Sequence, residues 1–375
     1  MRTKQWHWRA GQGWPAIDAG DEPPTVVFLF GGRAALEESD AIVTLGAHLP
    51  RERFFGCSTA GEIEGSNVHD DTVVATALWL ERSHIVSTSA RLSEAHDATA
   101  LGKLLAQRLT TPDLKHAFVL SDGLKVNGSE LARGLVAGLP PKVTLSGGLS
   151  GDGAAMKRTV VVHAGEVRDD CISVLGFTGA ISIGTGSLGG WDPFGPQRRV
   201  TKSRGNVLEE LDGEPALALY KRYLGPQAQG LPSSALLFPL VVQTGDGSAP
   251  VVRTILGVDE ATGTMTFAGD VTVGSSAQLM RANFERIIAA GEGAATASLG
   301  TSHTAPGFAL LVSCVGRKLI LKQRVEEEVE AVRSVLGDGV TTTGFYSYGE
   351  LAPNTTDAPC QLHNQTMTVT TFMEG

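Results

Sequence analysis

The stretch TVVFLFGGRAALEESDAIVTLGAHLPRERFFGC, residues 25–57, decides the fold. Residues 25–30 are β-branched or aromatic for the most part and end at Gly31-Gly32, which predicts a buried strand followed by a turn. Apolar residues then recur at helical spacing over 34–49, and residues 53–56 form a short strand that enters a polar, glycine-containing loop. The order strand, helix, strand favours parallel pairing of the two strands.

The remaining sequence has the same texture. We predict further strands at residues 72–80, 84–92 and 116–120, helices at 98–109 and 129–139, and an antiparallel meander over 158–187. In the second half we predict helices at 214–223, 276–290 and 321–336, and strands near 235–241, 251–258, 264–267, 308–312, 340–346 and 366–372. The fold class is therefore α/β, in the mixed α+β sense: two packed domains, each a mixed β-sheet flanked by helices.

A chain of 375 residues has a length typical of two domains. Residues 186–197 are dense in glycine and proline and are the best place for a boundary. We predict an N-terminal lead at 1–24, a first domain at 25–196 and a second at 197–375.

Composition excludes several classes of partner. The formal charge of −9 would repel nucleic acid and anionic lipid surfaces as a whole. No secretory signal is visible, and no run approaches the roughly 20 apolar residues that a membrane span needs, so we expect a cytoplasmic protein without membrane insertion. The four cysteines lack any C-x-x-C spacing, which is typical of reduced thiols.

One acidic cluster lies on the helix predicted at 321–336. The apolar residues of this helix form a single stripe, and Glu326, Glu327, Glu328 and Glu330 fall around its other face. We expect these four carboxylates to be solvated and assign them no function.

Motifs for the common enzyme mechanisms are missing from the sequence, which predicts that the protein is not an enzyme. Cys57 and Cys314 each follow a predicted strand and are the candidate nucleophiles of a cysteine enzyme, with a structural or ligand-lining role as the alternative. None of the nine histidines is paired at i+3 or i+4 on a helix, so we predict no metal site.

Five sequence blocks carry a resemblance to a known family. They lie at residues 56–63 (GCSTAGEI), 147–153 (GGLSGDG), 313–317 (SCVGR), 344–351 (GFYSYGEL) and 362–367 (LHNQTM). In these blocks the chain resembles FIST proteins, whose N-terminal and C-terminal domains form a sensory module. The resemblance implies a non-catalytic sensor that binds a small metabolite, such as an amino acid, and signals to a separate partner.

The resemblance also implies an alternative function. Some FIST proteins are haem-containing nitric oxide sensors that regulate a histidine kinase or a cyclic-di-GMP enzyme. In that case His363, which has a polar, loop-bordered context, is our candidate haem ligand. We otherwise predict no cofactor, and a hydrogen-bonding role for His363 stays open.

The candidate ligand-binding residues combine these blocks with their chemistry. Loop amides and short polar groups are expected from Cys57, Ser58, Thr59, Gly61 and Glu62. Arg317 is suited to bind a carboxylate through its forked guanidinium, with an internal salt bridge as the alternative. Convergent polar groups are expected from Tyr346, Glu350, His363 and Asn364. Interface packing and turn formation are the alternatives for Tyr346 and Glu350.

Overall fold

A computed structural model describes residues 1–245, 249–300, 305–355 and 358–375. The described chain forms three six-stranded mixed sheets and a fourth, eight-stranded antiparallel sheet. The first three sheets have one strand pattern in common, which divides the chain into three structural repeats.

The first repeat spans residues 2–79. Its elements are β1 (Arg2–Trp8), β2 (Val26–Gly31), α1 (Arg33–Glu37), α2 (Ala41–Leu45), β3 (Phe54–Ser58), β4 (Glu62–Glu64), β5 (Asn67–His69) and β6 (Val73–Trp79). Sequence predicts one helix where α1 and α2 lie. The break between them is at Ser39, whose hydroxyl accepts a 3.0 Å hydrogen bond from the backbone N–H of Ala41 and so competes with helical bonding.

The second repeat spans residues 83–179. Its elements are β7 (Ser83–Arg91), α3 (Ala98–Leu109), β8 (Leu114–Ser121), α4 (Gly128–Gly138), β9 (Thr144–Leu149), β10 (Val161–His163), β11 (Glu166–Arg168) and β12 (Cys171–Gly179). The side chain of Asp97 caps α3 by accepting from the Ala100 N–H, and the side chain of Asn127 caps α4. These caps fix both helix starts close to their predicted positions.

The third repeat begins with β13 (Ile181–Leu188) and is interrupted by an insertion. After the insertion come α6 (Phe284–Leu299), β22 (Phe308–Cys314), α7 (Val315–Leu321), α8 (Val325–Leu336), β23 (Thr341–Ser347), β24 (Gly349–Pro353), β25 (Cys360–His363) and β26 (Met367–Glu374). The insertion, residues 192–281, is called the inserted module below.

The inserted module contains the eight-stranded sheet and one α-helix among its described residues. It comprises β14 (Asp192–Arg204), β15 (Val207–Leu211), β16 (Glu214–Pro215), α5 (Ala216–Leu224), β17 (Leu240–Gln243), β18 (Val251–Arg253), β19 (Ile255–Asp259), β20 (Thr264–Phe267) and β21 (Ser276–Arg281). The chain enters through β14 and leaves through β21, and these two strands pair with each other. The helix predicted at 276–290 is therefore wrong over its first eight residues, of which 276–281 form strand β21; α6 begins at Phe284, after its cap at Asn283.

Each of the first three sheets takes a hairpin from a different repeat. Their strand orders are β1-β6-β2-β3-β10-β11, β7-β12-β8-β9-β24-β25 and β13-β26-β22-β23-β4-β5. In all three, the central pair is parallel and the other pairs are antiparallel. Repeat one thus gives its hairpin to sheet three, repeat two to sheet one and repeat three to sheet two. We call these three sheets and their helices the three-sheet body.

In each repeat, the short segment that leads from β3, β9 or β23 to the exchanged hairpin crosses to the neighbouring sheet. These three crossings meet around a pseudo-threefold axis. Immediately after β3, β9 and β23, the backbone N–H groups of Ala60, Gly151 and Tyr348 each donate to a neighbouring repeat. Their acceptors form a closed cycle: Tyr346 O at 2.8 Å, Ser58 O at 2.9 Å and Leu149 O at 3.1 Å, respectively. Equivalent residues therefore make equivalent bonds in all three repeats.

The three repeats also have a close-packed glycine in common, within the second strand of each parallel pair. A Cβ on Gly56, Gly147 or Gly344 would lie 1.8, 2.0 or 1.8 Å from a carbonyl oxygen of the neighbouring strand. Only glycine fits such an approach. The first and third of these glycines, in FGCSTAGE and GFYSYGEL, mark equivalent positions of two sequence blocks.

The inner faces of the three sheets meet in an aromatic core. Phe28 of sheet one lies 6.3 Å, centroid to centroid, from Phe118 of sheet two and 5.5 Å from Phe308 of sheet three. All three rings are fully buried. Helices cover the outer faces: α1 and α2 over sheet one, α3 and α4 over sheet two, and α6 and α8 over sheet three.

The mixed α+β class and the parallel pairing of β2 and β3 are confirmed. The segment predicted as a lead contains β1, an edge strand of sheet one, and the predicted boundary at residue 196 lies within β14. The domain limits stay a prediction. Within the described ranges, the structure contains no helix with the length and hydropathy to cross a membrane.

Candidate functional site

A cleft separates the three-sheet body from the inserted module and contains a cavity of about 290 Å³. Its floor is formed by the body, at Gly153, Cys314, Gly316 and Tyr348 among others. Its roof is formed by the inserted module, at Leu236, Thr254, Ile255, Leu256 and Ala268 among others. Both parts of the molecule are therefore needed to build the site.

A second cavity of about 280 Å³ lies beside the first. The two have four lining residues in common, Met156, Leu256, Ala268 and Tyr348, and the second extends toward the start of α4 at residues 123–128. They are two lobes of one cleft with a common wall. A site of this size suits a small metabolite.

Fold topology places the floor at the carboxyl ends of parallel strands. Cys314 is the last residue of β22 and precedes α7, while Tyr348 directly follows β23, the parallel partner of β22. Open α/β sheets bind ligands at this end, because the loops that leave the strands diverge there. The pseudo-threefold crossing at Tyr348 thus lies under the cleft.

Tyr348 is held in place by the loop that follows β9. Its hydroxyl donates to Asp152 Oδ1 and accepts a 3.1 Å hydrogen bond from the Asp152 backbone N–H. The other carboxylate oxygen of Asp152 accepts from the backbone N–H groups of Lys157 and Arg158, at 2.8 and 2.9 Å. Burial raises the pKa of the phenol. Tyr348 is therefore a fixed, neutral wall of the cleft.

Two further features distinguish the cleft from ordinary packing. The hydroxyl of Thr254 is buried and has no hydrogen-bond partner among the residues that the structure describes. The cleft also carries exposed large apolar side chains at its edges. They are Leu124 (40% exposed), Met156 (46%), Leu256 (45%) and Leu319 (41%). A ligand that entered here would gain apolar contact with these side chains.

Cys314 lines the cleft but is not an activated thiol. Burial raises its pKa, and the nearby carboxyl of Glu350 raises it further. A thiolate is the reactive form of cysteine, so this thiol is poorly suited to attack a substrate. Cys57 lies among apolar side chains of the central core, fully buried, and burial raises its pKa well above the ordinary value.

The loop predicted from residues 57–62 lies at the pseudo-threefold axis. Ser58 accepts a 2.9 Å bond at its hydroxyl from the Val160 N–H, and Thr59 donates its hydroxyl to the carboxyl of Glu62. Gly61, at φ +143°, lies against the side chain of Lys318. These polar groups join loops to one another, and none is among the described residues that line the two lobes.

Arg317 and Tyr346 belong to a buried network around Glu328. The guanidinium of Arg317 binds Glu328 Oε2 from Nε at 2.9 Å and from Nη2 at 2.7 Å, and it donates to the carbonyls of Gly189 and Ile287 at 2.6 Å each. Tyr346 donates its hydroxyl to Glu328 Oε1 at 2.6 Å. Arg317 therefore forms an internal salt bridge, which was the alternative to ligand binding. The expectation that Glu328 is solvated is wrong, because Glu328 is buried and its carboxylate neutralises Arg317.

Glu350 lies at the position of the third repeat that corresponds to Glu62 in the first. Ser347 donates to one oxygen of Glu350 at 2.6 Å, and the backbone and hydroxyl of Thr366 donate to the other at 3.2 and 2.9 Å. Burial raises the pKa of Glu350 to about 8 and that of Glu62 to about 7. Both carboxyls stabilise the crossings beneath the cleft.

His363 and Asn364 lie in and just after β25, in the hairpin given to sheet two. The Nε2 of His363 is 2.9 Å from the Ala352 carbonyl, and burial lowers the pKa of this imidazole to about 4. The side-chain amide of Asn364 is buried, without a hydrogen-bond partner in the described part of the chain. Neither residue is among the described residues that line the lobes.

The residues of the cleft do not fit haem. Haem iron takes a histidine, a thiolate, a tyrosinate or a histidine–methionine pair as ligand. No histidine is found among the described lining residues, and burial raises the pKa of both Cys314 and Tyr348, which disfavours the anions that would bind iron. His363, the candidate ligand, lies outside both lobes.

Sequence reasoning missed Thr254, Leu256 and Tyr348. Tyr348 lies inside the block GFYSYGEL, between the candidate residues Tyr346 and Glu350. The signal that could have identified it is its position directly after a parallel strand. The roof residues belong to short strands of the inserted module, whose docking on the body depends on contacts that no local pattern reveals.

Comparison with known proteins agrees with this architecture. Residues 25–214 match the FIST N domain and residues 216–353 match the FIST C domain. The chain belongs to the FIST family. FIST domains are associated with sensing in signal transduction. In this FIST protein the two matched regions meet inside the inserted module, just before α5, so the cleft is lined by residues of both regions.

Several relatives of this FIST protein carry the name "uncharacterized protein". One from Mycobacterium tuberculosis is 25% identical over 343 residues, covering 88% of this chain and 87% of the relative. One from Mycobacterium bovis is 24% identical over 365 residues, covering 88% and 86%. A third, from Methanocaldococcus jannaschii, is 27% identical over 189 residues, which cover 47% of this chain but only 35% of that protein.

Proposed function

We propose that this FIST protein is a non-catalytic sensor that binds a small metabolite in the cleft between the three-sheet body and the inserted module. One observation carries the proposal: a cavity of about 290 Å³ is lined by Thr254, whose buried hydroxyl has no hydrogen-bond partner among the described residues, and has exposed apolar side chains at its edge. The ligand is a molecule of roughly amino-acid size, with an apolar part and one group that hydrogen-bonds to Thr254.

Signalling follows from the position of the ligand between two parts of the molecule. A ligand that touches both the floor and the roof binds more tightly when the inserted module lies close to the body, and this differential affinity shifts the population toward that arrangement. A separate signalling protein, such as a histidine kinase or a cyclic-di-GMP enzyme, would read the change. The family association with sensing supports this proposal.

The experiment is a thermal-shift screen against amino acids and small organic acids, followed by calorimetric titration of each hit. A ligand at 100 times its Kd stabilises the protein by about 2.7 kcal/mol, which gives a measurable rise in Tm. Two substitutions locate the site. Ala154→Trp fills the cavity from an exposed position in its wall, and Thr254→Val removes the buried hydroxyl while keeping the side-chain shape.

We expect Ala154→Trp to abolish binding and Thr254→Val to weaken it about tenfold, the equivalent of one neutral hydrogen bond. Ala47→Trp, at an exposed alanine of the first repeat outside the cleft, is the matched control and should bind like the wild type. A screen without any hit, or a ligand that binds Ala154→Trp normally, would contradict the proposal.

A further inference from the structure

Three side chains that can bind a metal converge on one edge of the three-sheet body. His7 lies on β1, Glu64 on β4 and His69 on β5. Glu64 Oε2 is 3.0 Å from His7 Nδ1 and 2.9 Å from His69 Nε2. All three candidate ligand atoms lie within 4.8 Å of one another.

The exchange of hairpins brings the three residues together. Hairpin β4–β5 leaves repeat one to join sheet three, and its side chains Glu64 and His69 contact His7 on β1, the edge strand of sheet one. The imidazole centroids of His7 and His69 are 4.1 Å apart with their planes tilted by 47°. The cluster therefore joins two sheets at a place where no backbone pairing between them is described.

His7 is the unusual member, because its side chain is only 7% exposed. Neither of its ring nitrogens makes a hydrogen bond to any part of the chain that the structure describes. Nδ1 has the Glu64 carboxylate 3.0 Å away, whereas Nε2 is buried without a polar partner among the described residues. Buried polar atoms are seldom left without a partner, and those that are need an explanation. For Nδ1, a metal ion bound between this nitrogen and the Glu64 carboxylate is such an explanation.

We propose that His7, Glu64 and His69 bind one divalent transition-metal ion, with zinc as the best match. Two imidazole nitrogens and one carboxylate oxygen are a donor set that zinc uses with a fourth, open position for water. Bonds of about 2.0–2.1 Å in a tetrahedron separate the ligand atoms by roughly 3.3 Å. The two separations that involve Glu64, 2.9 and 3.0 Å, reach that value after shifts of a few tenths of an ångström, and the two histidine nitrogens lie within 4.8 Å of each other.

The ion would act as a clasp between β1 and the exchanged hairpin. Side chains of Glu64 and His69 are 26% and 20% exposed, so the open position faces the accessible side of the cluster. None of the three residues lines either lobe of the cleft as described. The site is thus separate from the cleft, and its first measurable effect is on stability.

The test uses the full chain with any affinity tag removed and with metal stripped by a chelator. Zn²⁺ titration by calorimetry measures stoichiometry and affinity, and Co²⁺ provides an optical signal for low-coordinate binding. His69→Gln and Glu64→Gln remove one ligand each at partly exposed positions that tolerate the change. His96→Gln is the control, because His96 is 83% exposed and also lies 3.0 Å from a carboxylate, that of Asp97.

We expect one Zn²⁺ per chain, an affinity at least about 100-fold lower in either ligand variant, and wild-type affinity in His96→Gln. Zn²⁺ should raise the Tm of the wild type and of His96→Gln but not that of the ligand variants. Absence of saturable binding by the wild type, or equal binding by His69→Gln, would overturn the proposal and leave a plain histidine–carboxylate cluster.

Discussion

The guanidinium of Arg317 and the carboxylate of Glu328 form an ion pair 2.7 Å long in which neither side chain is exposed to solvent. Removing one partner leaves the other charge buried without its counter-ion. We therefore expect Arg317→Met to lower the free energy of unfolding by about 3–5 kcal/mol, measured by urea denaturation.

The matched control for that prediction is on the surface next to the start of α8. Arg324 pairs with Glu327 at 2.7 Å, but in solvent. Arg324→Met should leave the urea midpoint nearly unchanged. Equal midpoints for Arg317→Met and the wild type would show that the buried network does not support the fold.

The three close-packed glycines, one in each repeat, predict that alanine substitution destabilises the protein equally at three distant places in the sequence. A Cβ at Gly56, Gly147 or Gly344 would clash with a backbone oxygen at 1.8–2.0 Å, so each change to alanine must push two paired strands apart. We expect each variant to lose about 3 kcal/mol or more of stability. Gly339→Ala is the control, since a Cβ there meets no atom within 4 Å. Circular-dichroism melting compares them, and a wild-type Tm for any of the three contradicts the prediction.

Buried Glu350 predicts a pH dependence of stability. Its pKa is raised by burial to about 8 from an ordinary value of 4.5, so the folded protein keeps a proton that the unfolded chain releases. The contribution of this bound proton to the free energy of unfolding is fully present below about pH 4.5, and it is lost as the pH rises toward 8. The free energy of unfolding should fall over that range, by up to about 1.4 kcal/mol per pH unit for this group.

Glu350→Gln keeps a neutral side chain of the same shape and should flatten that dependence. A smaller fall of stability with pH should remain in this variant, because the pKa of Glu62 is also raised, to about 7. Glu330→Gln, at an exposed position of α8, should retain the wild-type slope. Urea denaturation at pH 5, 6, 7 and 8 measures all three proteins, and identical slopes in the two variants would refute the assignment.

All four cysteines are expected to resist thiol reagents in the native protein. Cys57, Cys171, Cys314 and Cys360 are buried free thiols, and burial raises the pKa of each. Ellman's reagent at pH 7.5 should therefore label none of them until urea is added, after which four react. Rapid labelling of Cys314 in native buffer would contradict this prediction and support the hypothesis that the protein is a cysteine-based enzyme.

Local sequence patterns predict those elements whose signals are local. Helix α3 has the predicted bounds because Asp97 caps it and its apolar residues lie on one face. Strands β2, β3 and β6 can be recognised because each is a continuous run of mostly apolar residues. Hairpins β4–β5 and β24–β25 were missed because they are short, and because their partners lie in another repeat. Their register depends on the crossings at the axis and not on their own composition.

The candidate site residues stay a prediction, and the structure shows how several of them are bonded internally. Four of the five sequence blocks mark the carboxyl ends of the parallel strands β3, β9, β22 and β23, near which Arg317, Tyr346 and Glu350 lie, and the fifth joins β25 to β26. Their polarity serves internal bonding, since Arg317 and Tyr346 bind the same buried carboxylate. A buried structural network and a binding site have the same residue types, and only the three-dimensional arrangement separates them.

The cyclic exchange of hairpins has a consequence for synthesis on the ribosome. Hairpin β4–β5 ends at residue 69, but its sheet is built on β22 and β23, which begin only at residues 308 and 341. At about 5–20 residues per second, some 10–50 s pass before that partner emerges. During this interval the hairpin is an unpaired strand edge in a nascent chain, and the first repeat can complete neither its own crossing nor the sheet it serves until translation is nearly finished.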